Sequence, residues 1–231
     1  MLTKRQNKIL EILIDDYLKT AEPVGSLGLV DKLKEDISSA TIRNEFAMLE
    51  SAGLIIQPHT SAGRIPTEKG YRYYLQNLLQ EKNLSSKCLQ TLASIVAKDL
   101  NDESKIKELA KTITDISKNA VLVGFGPENV YYTGLSNLFA QPEFRDYNLV
   151  RHMSQIIDHL DEVMNGIFDE VNDLTIWVGK ENPFGAGCSV VFYKYQSGDF
   201  VGIFGILGPT RMDYQKNIAL VKNINNLFKE S

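Results

Sequence analysis

The stretch from residue 38 to residue 71, SSATIRNEFAMLESAGLIIQPHTSAGRIPTEKGY, constrains the fold of this chain more than any other part. Its apolar residues first recur at helical spacing, and Gly53 then supplies the left-handed conformation that commonly ends a helix. Residues 54–57 and 64–65 are typical of two short strands around a polar loop, and Thr67 can cap a following helix. The stretch therefore predicts a helix, a small β-hairpin and a second helix in succession.

The first of these helices has two contrasting faces. Ile42, Phe46 and Leu49 form an apolar stripe that predicts a buried side. The opposite face lacks the long Lys and Glu side chains of an ordinary solvated helix. It carries Ala40, Asn44, Ala47 and Met48, with Thr41 and Arg43 on its flanks. Small side chains let a helix approach DNA closely, so this face suits the major groove. An ordinary surface helix beside a solvated hairpin is the alternative.

The preceding residues favour DNA binding because they complete a known arrangement. Thr3 and Gln6 form a capping box that predicts the start of a first helix. Pro23 interrupts the chain before a short second helix, which begins near Ser26. With the helix that follows Ser38 and its hairpin, the order becomes helix, loop, helix, turn, helix and two-stranded wing. This order is the winged helix-turn-helix, whose third helix enters the groove of DNA.

The residue types on this helix and hairpin indicate separate roles in recognition. Arg reads guanine, Asn reads adenine, and a Thr methyl group can contact thymine in the major groove. We therefore expect Thr41, Arg43 and Asn44 to read bases. Small polar groups and cations hold phosphates or enter the minor groove. The residues expected in that role are Ser38, Ser39, His59, Thr60, Ser61 and Arg64.

The charge balance shows that DNA affinity must depend on where a few cations lie. The chain has 231 residues and a formal net charge of −4. Residues 1–75 contain ten Lys or Arg and ten Asp or Glu, so this part is neutral. A neutral module releases few counterions from DNA. We therefore expect a homodimer, which doubles the contacts with the duplex.

The remaining composition indicates a cytoplasmic protein. Cys88 and Cys188 are far apart and lack metal-site spacing, so both are expected to be reduced and mostly buried. The N-terminus runs into a charged amphipathic helix rather than a signal peptide. No apolar run in the sequence reaches the length that spans a membrane.

The middle of the chain is expected to be helical. Two amphipathic helices are predicted at 87–100 and 104–118, the first with Leu89 on its buried side. These helices suit either a connection between domains or the seam of a dimer. Residues 76–118 are therefore assigned as linker or dimerisation helices, after an N-terminal domain over residues 1–75.

From residue 120 the apolar residues alternate, which is typical of strands. Five strands are predicted, with one helix between them at 147–169 and another at 214–229. Residues 119–231 thus predict a regulatory domain in which an antiparallel-rich sheet packs with helices. The fold class of the whole chain is α+β.

The sequence contains no arrangement typical of an enzyme. His152 and His159 lie on one predicted helix, but their spacing is not the three or four residues that helical metal ligands need. No Ser–His–Asp or Cys–His motif appears in a recognisable context. Arg211, before the last helix, is expected to form a structural ion pair. We therefore expect no catalysis, no cofactor and no metal ion.

Several blocks of the sequence resemble one bacterial family. The N-terminal blocks are LTKRQNKILEILIDDYLKTAEPVGS, SSATIRNEFAMLESAGLI and QPHTSAGRIPTEKGYRYYL. The later blocks are GLSNLFAQPEF, ENPF and GILGPTRMDYQKNIALV. Together they resemble HrcA, the heat-inducible transcription repressor family. The resemblance implies a GAF-like C-terminal domain and a dimer that binds an inverted-repeat operator of double-stranded DNA ahead of heat-shock chaperone genes. It also implies that the GroE chaperonin supports the repressor's activity.

Two features leave room for other interpretations. The chain is shorter than family members that carry an inserted dimerisation segment, and residues 135–175 leave little room for one. Winged helices also serve as protein-docking modules, and fold alone does not exclude that role. The alternative is therefore a winged-helix interaction module coupled to a C-terminal domain that senses a small molecule. The neutral N-terminal domain is the feature that favours it.

Overall fold

The computed structural model describes residues 2–33, 37–80, 82–96, 102–126, 128–197 and 200–230. The chain divides into two units, Met1–Gln80 and Glu81–Ser231. The separate linking or dimerising role of residues 76–118 stays a prediction. Within the described ranges, no helix is both long and apolar enough to cross a bilayer.

The described part of the first unit consists of helices and a two-stranded hairpin. Its elements are α1 (Lys4–Thr20), α2 (Ser26–Leu33), α3 (Ser39–Ser51), β1 (Ile55–Ile56), β2 (Ile65–Pro66) and α4 (Glu68–Asn77). The predicted capping box of Thr3 and Gln6 starts α1. The Ser38 hydroxyl caps α3 by accepting from the Thr41 N–H, and Gly53 follows α3 with a φ of 72°. This order confirms the winged helix-turn-helix.

One side of each helix forms the core of the first unit. Ile42, Phe46 and Leu49 of α3 are buried, as the apolar stripe predicts. Tyr71 and Tyr74 of α4 are buried as well. The first two helices contribute Ile9, Leu10, Leu13, Ile14, Leu29 and Leu33. Since this core holds one side of α3, the opposite side of that helix is left facing outward.

The hairpin is bonded to the loop between α1 and α2. Its two strands pair antiparallel, with Ile56 opposite Ile65. Just before β2, Arg64 exchanges two backbone hydrogen bonds of 2.9 Å with Val24. A Cβ atom at Gly63 would lie 2.4 Å from the carbonyl carbon of Val24, so only glycine permits this approach. The base of the hairpin is therefore held on two sides.

The second unit contains a sheet with helices before, within and after it. Its helices are α5 (Ser86–Val96), α6 (Glu103–Ser117), α7 (Leu135–Phe139), α8 (Tyr147–Asp158), α9 (Leu160–Ile167) and α10 (Tyr214–Glu230). Its strands are β3 (Ala120–Gly126), β4 (Asn129–Thr133), β5 (Thr175–Val178), β6 (Cys188–Ser197) and β7 (Phe200–Pro209). Short 3₁₀ turns lie at Pro142–Arg145 and Gly179–Glu181.

The strands are ordered β4–β3–β7–β6–β5, and all pairs are antiparallel. Tyr195 of β6 stacks on Phe228 of α10, with ring centroids 4.3 Å apart. Phe192 of the same strand belongs to the core that includes Met164 of α9. Alternate residues of one strand thus pack against helices on the two faces of the sheet. The α+β class is confirmed, since the five described strands form an antiparallel sheet that packs with helices.

Two details of the second unit were predicted wrongly. The single helix expected at 147–169 is interrupted at His159, where φ is −120° and ψ is 31°, so α8 and α9 are separate. Apolar spacing continued across the break and gave no sign of it. Leu89, expected to be buried, is 39% exposed, whereas Leu92 is buried. Spacing identifies the apolar face of a helix, but it does not show how far along the helix the packing extends.

Candidate nucleic-acid interface

The outward face of α3 carries small and uncharged side chains around one cation. Ala40, Arg43, Asn44, Ala47 and Met48 are exposed, and Met48 is 60% exposed. The major groove, about 12 Å wide, admits a helix whose side chains do not hold it away from the base edges. The face of α3 has this shape, and its Arg and Asn match the groups that read guanine and adenine.

The N-terminus of α3 is suited to an anion. The Ser38 hydroxyl accepts from the Thr41 N–H at 3.1 Å and lies 3.0 Å from the Thr41 hydroxyl. Ser39 is half-buried beside them. The first turn contains no acidic residue, so the partial positive charge of the helix end is not cancelled there. Backbone N–H groups at such a helix end bind phosphate well.

Arg43 lies beside a second helix N-terminus. Its Nε donates to the Ser26 hydroxyl at 3.3 Å, at the start of α2. The first turn of α2 also lacks an acidic residue. Among the described residues, the terminal nitrogens of Arg43 make no hydrogen bond, and Arg43 is exposed. Ser26 therefore holds the guanidinium through Nε and leaves its terminal nitrogens available to a ligand.

A cleft of about 410 Å³ lies between the start of α2, the recognition helix α3 and the hairpin. It is lined by Gly25, Ser26, Leu27, Arg43, Phe46, Gln57, Ser61, Ala62, Gly63 and Arg64. The cleft places the hairpin next to α3, as a wing requires. Of the predicted site residues, Arg43 of α3 thus lies on the same side of the first unit as Ser61 and Arg64 of the hairpin.

The tip of the hairpin presents three polar residues to solvent. The Ala62 N–H donates to the His59 carbonyl at 3.0 Å and closes a tight turn. Ser61 has a φ of 72°, which is uncommon for a residue other than glycine. His59, Thr60 and Ser61 are all exposed. The turn holds their side chains outward, where a phosphate or the minor groove can be reached.

Arg64 differs from the other predicted site residues because its guanidinium has an internal partner. Its Nε and one terminal nitrogen each lie 3.1 Å from Oε2 of Glu50. The Arg64 side chain is only 20% exposed. Glu50 lies in the last turn of α3 and was not predicted as part of the site. The guanidinium of Arg64, which was expected to bind phosphate, is therefore directed toward Glu50 of the protein itself.

Three residues of this region were missed by the sequence analysis. Ser26 orients Arg43, Glu50 holds Arg64, and Gln57 lies beside the cleft. The signal for Ser26 was its place at a helix start, but its pairing with Arg43 depends on how α2 packs against α3. Glu50 and Arg64 are separated by the first strand and the loop of the hairpin, so no local pattern connects them.

Within the described residues, no group of three or more His, Cys, Asp or Glu is placed to hold a metal ion. The ion pair predicted for Arg211 is confirmed, with its Nε 2.7 Å from Oε1 of Glu143. Cys188 is buried as expected, whereas Cys88 is half-buried. Burial, with a smaller effect of the Glu143 charge, raises the pKa of the Cys188 thiol to about 12, so this thiol stays neutral.

Two family models match the chain. "Winged helix-turn-helix transcription repressor, HrcA DNA-binding" matches residues 1–82, and "HrcA protein C terminal domain" matches residues 68–218. The first match covers the unit that carries the exposed face of α3. The second covers most of the sheet-and-helix unit.

Curated relatives align from end to end with this chain, with a large gap on the side of this chain. "Heat-inducible transcription repressor HrcA" of Carboxydothermus hydrogenoformans is 30% identical, covering 100% of this chain and 98% of the relative. The protein of the same name from Natranaerobius thermophilus is also 30% identical, covering 97% and 95%. The first alignment spans 335 positions against 231 residues here, so at least 104 positions of that relative have no counterpart in this chain.

A solved structure shares the fold. The structure titled "Crystal structure of a hypothetical protein at 2.2 A resolution" aligns with a TM-score of 0.83 at 20% identity, covering 100% of this chain and 98% of the other. At that identity the likeness supports the fold alone, whereas the family models and the curated relatives identify the family. The chain belongs to the HrcA family of heat-inducible transcription repressors, which bind DNA through a winged-helix domain.

Proposed function

We propose that this repressor acts as a dimer on an inverted-repeat operator ahead of heat-shock chaperone genes. The observation that supports the proposal best is the exposed face of α3 beside the wing. That face combines a guanidinium at Arg43 and an amide at Asn44 with the small side chains of Ala40 and Ala47. The long side chains on this face are those of Arg43, which is expected to contact a base, and Met48.

The proposed division of labour follows the chemistry of each group. Thr41, Arg43 and Asn44 read base edges in the major groove. The N-terminus of α3 and the turn of the wing bind the backbone or the minor groove. The side chains in this second role are Ser38, Ser39, His59, Thr60 and Ser61. Arg64 was expected among them, but its guanidinium is paired with Glu50.

Footprinting on the DNA upstream of the organism's own chaperone genes tests the choice of target. Protection of two inverted half-sites is the expected result. A thermal-shift experiment tests the alternative of a small-molecule sensor, because a ligand that binds only the folded state raises its stability. Stabilisation by a small molecule and not by that DNA would favour the docking-module alternative.

If the repressor binds as a dimer, the distance between the half-sites determines whether both subunits can bind at once. Two recognition helices related by two-fold symmetry reach equivalent major grooves only when the half-sites are about 10–10.5 bp apart, or a multiple of that spacing. We expect an insertion of about half a helical turn between the half-sites to abolish tight binding, and a full turn to restore it. The measurement is a gel-shift titration of operator duplexes. Equal binding to all three spacings would contradict a dimer of fixed geometry.

The chaperonin dependence is supported by the way the second unit must fold. Its sheet joins β3 to β7, with Val121 opposite Ile206, so its central pairing connects distant parts of the chain. Such long-range pairing forms slowly and exposes apolar strands in the meantime. A chain with this folding problem is a suitable client of the GroE chaperonin.

A refolding experiment tests this dependence. We expect heated repressor to regain operator binding faster and to a greater extent with GroE and ATP than without them. Operator binding is measured by fluorescence anisotropy after return to the growth temperature. Purified repressor that keeps full operator binding through the heating step, with or without GroE, would contradict the proposed dependence.

A further inference from the structure

The carboxylate of Glu50 contacts the residues that flank the loop of the wing. Its Oε2 accepts from the Arg64 guanidinium, with Nε at 3.1 Å, just before β2. Its Oε1 accepts from the backbone N–H of Gln57 at 3.3 Å, just after β1. Both oxygens of one side chain on the recognition helix are therefore used to hold the two ends of the loop 58–63.

The same loop is closed by bonds that do not involve the recognition helix. Gln57 Nε2 donates to the Ala62 carbonyl at 3.0 Å. Arg64 is bonded through its backbone to Val24 on its other side. These bonds define the shape of the wing, whereas among the described residues it is the Glu50 side chain of α3 that hydrogen-bonds to both ends of the loop. The position of the wing relative to the base-reading residues thus depends on Glu50.

The pairing also changes what Arg64 contributes to DNA binding. A cation that neutralises a phosphate releases counterions and steepens the salt dependence of binding. The charge of Arg64 is already balanced by Glu50, whose side chain is 36% exposed, while that of Arg64 is 20% exposed. As a pair these residues are neutral, so they add little to counterion release.

We propose that Glu50 is a positioning residue for the wing, and that Arg64 acts through Glu50 rather than by binding phosphate. This inference rests on the proposed contact of the wing with operator DNA. It assigns Glu50, which no sequence pattern singled out, a role in specific binding. It also removes Arg64 from the residues that set the salt dependence.

A double-mutant cycle on operator affinity tests the proposal with the full chain. The variants are Glu50→Ala, Arg64→Ala and the charge-neutral combination of both. Losing an intramolecular hydrogen-bonded contact should weaken operator binding by about 2- to 10-fold. If Glu50 and Arg64 act only through their contact with each other, the double variant should bind operator no more weakly than the single variant that binds it more weakly. If the fold losses in operator affinity of the two single variants multiply in the double variant, the two residues have independent roles and the proposal is overturned.

The salt dependence gives a second, separate readout. We expect the combined variant to keep the wild-type slope of log affinity against log salt. A direct phosphate contact by Arg64 would instead reduce the slope by about one unit. In the combined variant, hydrogen exchange should be faster than in wild type at the Gln57 amide and unchanged at the amides of α1. A reduced slope, or wild-type protection at Gln57, would each overturn the proposal.

Controls separate positioning from simple loss of structure. Glu68 and Arg72 of α4 form an ion pair of similar exposure, and the Glu68→Ala, Arg72→Ala double variant should bind operator within about twofold of wild type. If the Glu50 and Arg64 alanine variants fail to fold by circular dichroism, the Glu50→Gln, Arg64→Gln pair replaces them with the same expectations. Wild-type protein that fails to bind any operator would refute the proposed function instead, so the two failures are distinguishable.

Discussion

Gly70→Ala should destabilise the DNA-binding unit by about 3 kcal/mol or more, because a methyl group at this position has no space. A Cβ atom on Gly70 would lie 2.0 Å from the carbonyl oxygen of Leu54. That oxygen also accepts from the Thr67 N–H at 3.0 Å, so α4 cannot move away without loss of a bond. The atoms that clash belong to backbone on both sides, and backbone does not change rotamer to relieve overlap.

Hydrogen exchange measured by mass spectrometry on the full chain checks this result. Peptides from α1 and α3 report the stability of the first unit separately from the second. We expect their protection to fall by roughly two orders of magnitude or more in the Gly70→Ala variant, which is the equivalent of about 3 kcal/mol. Protection equal to wild type would mean that α4 does not pack against Leu54 as described.

A second glycine provides the matched control. Gly28 lies in α2 with nothing within 4 Å of the position of an added Cβ atom. Alanine in a helix costs less conformational entropy than glycine, so Gly28→Ala should stabilise the same unit by about 0.5–1 kcal/mol. If the stability changes of Gly70→Ala and Gly28→Ala have opposite signs, the space around each glycine, rather than the added methyl group itself, decides the effect. Loss of protection in Gly28→Ala would contradict this account.

Arg43→Ala should weaken operator binding by about 1–3 kcal/mol and relax the base preference at one position of each half-site. The guanidinium is exposed, and its Nε bond to Ser26 leaves the terminal nitrogens able to face a base. Two parallel bonds to guanine are the commonest specific contact that Arg makes in the major groove. Titration of the operator, and of operators changed singly at each base pair, measures both effects.

A distant arginine controls for loss of charge. Arg151 is exposed on α8 in the second unit. Arg151→Ala removes the same charge from the chain, yet it should leave operator affinity within about 0.5 kcal/mol of wild type, as surface substitutions usually do. Equal losses in the two variants would indicate a general electrostatic effect. An Arg43→Ala variant with wild-type affinity and wild-type base preference would remove Arg43 from the recognition surface.

The parts of the site that could be predicted from sequence are those set by local rules. The stripe of Ile42, Phe46 and Leu49 fixed the orientation of α3, and its outward face followed from helical geometry. Gly53 marked the end of that helix by its need for a positive φ. These features depend on residues within a few turns of one another, so periodicity and capping preferences were sufficient to place them.

The parts that could not be predicted depend on contacts between distant residues. The bond between Arg64 and Val24 joins segments separated by two helices, and only packing brings them together. The pairing of Arg64 with Glu50 was not predicted, for the same reason. From sequence alone, a lone arginine in a loop looks available to bind phosphate. Whether it is available depends on which carboxylate the fold places beside it.

The first turns of α2 and α3 contain no acidic residue, which has a consequence for how the repressor finds its operator on the chromosome. Non-specific affinity comes mainly from mobile cations that displace counterions at any sequence. In the proposed interface, part of the attraction for phosphate comes from fixed backbone N–H groups, which we expect to act only when both helix ends are docked in register. We therefore expect this repressor to reside only briefly on random DNA.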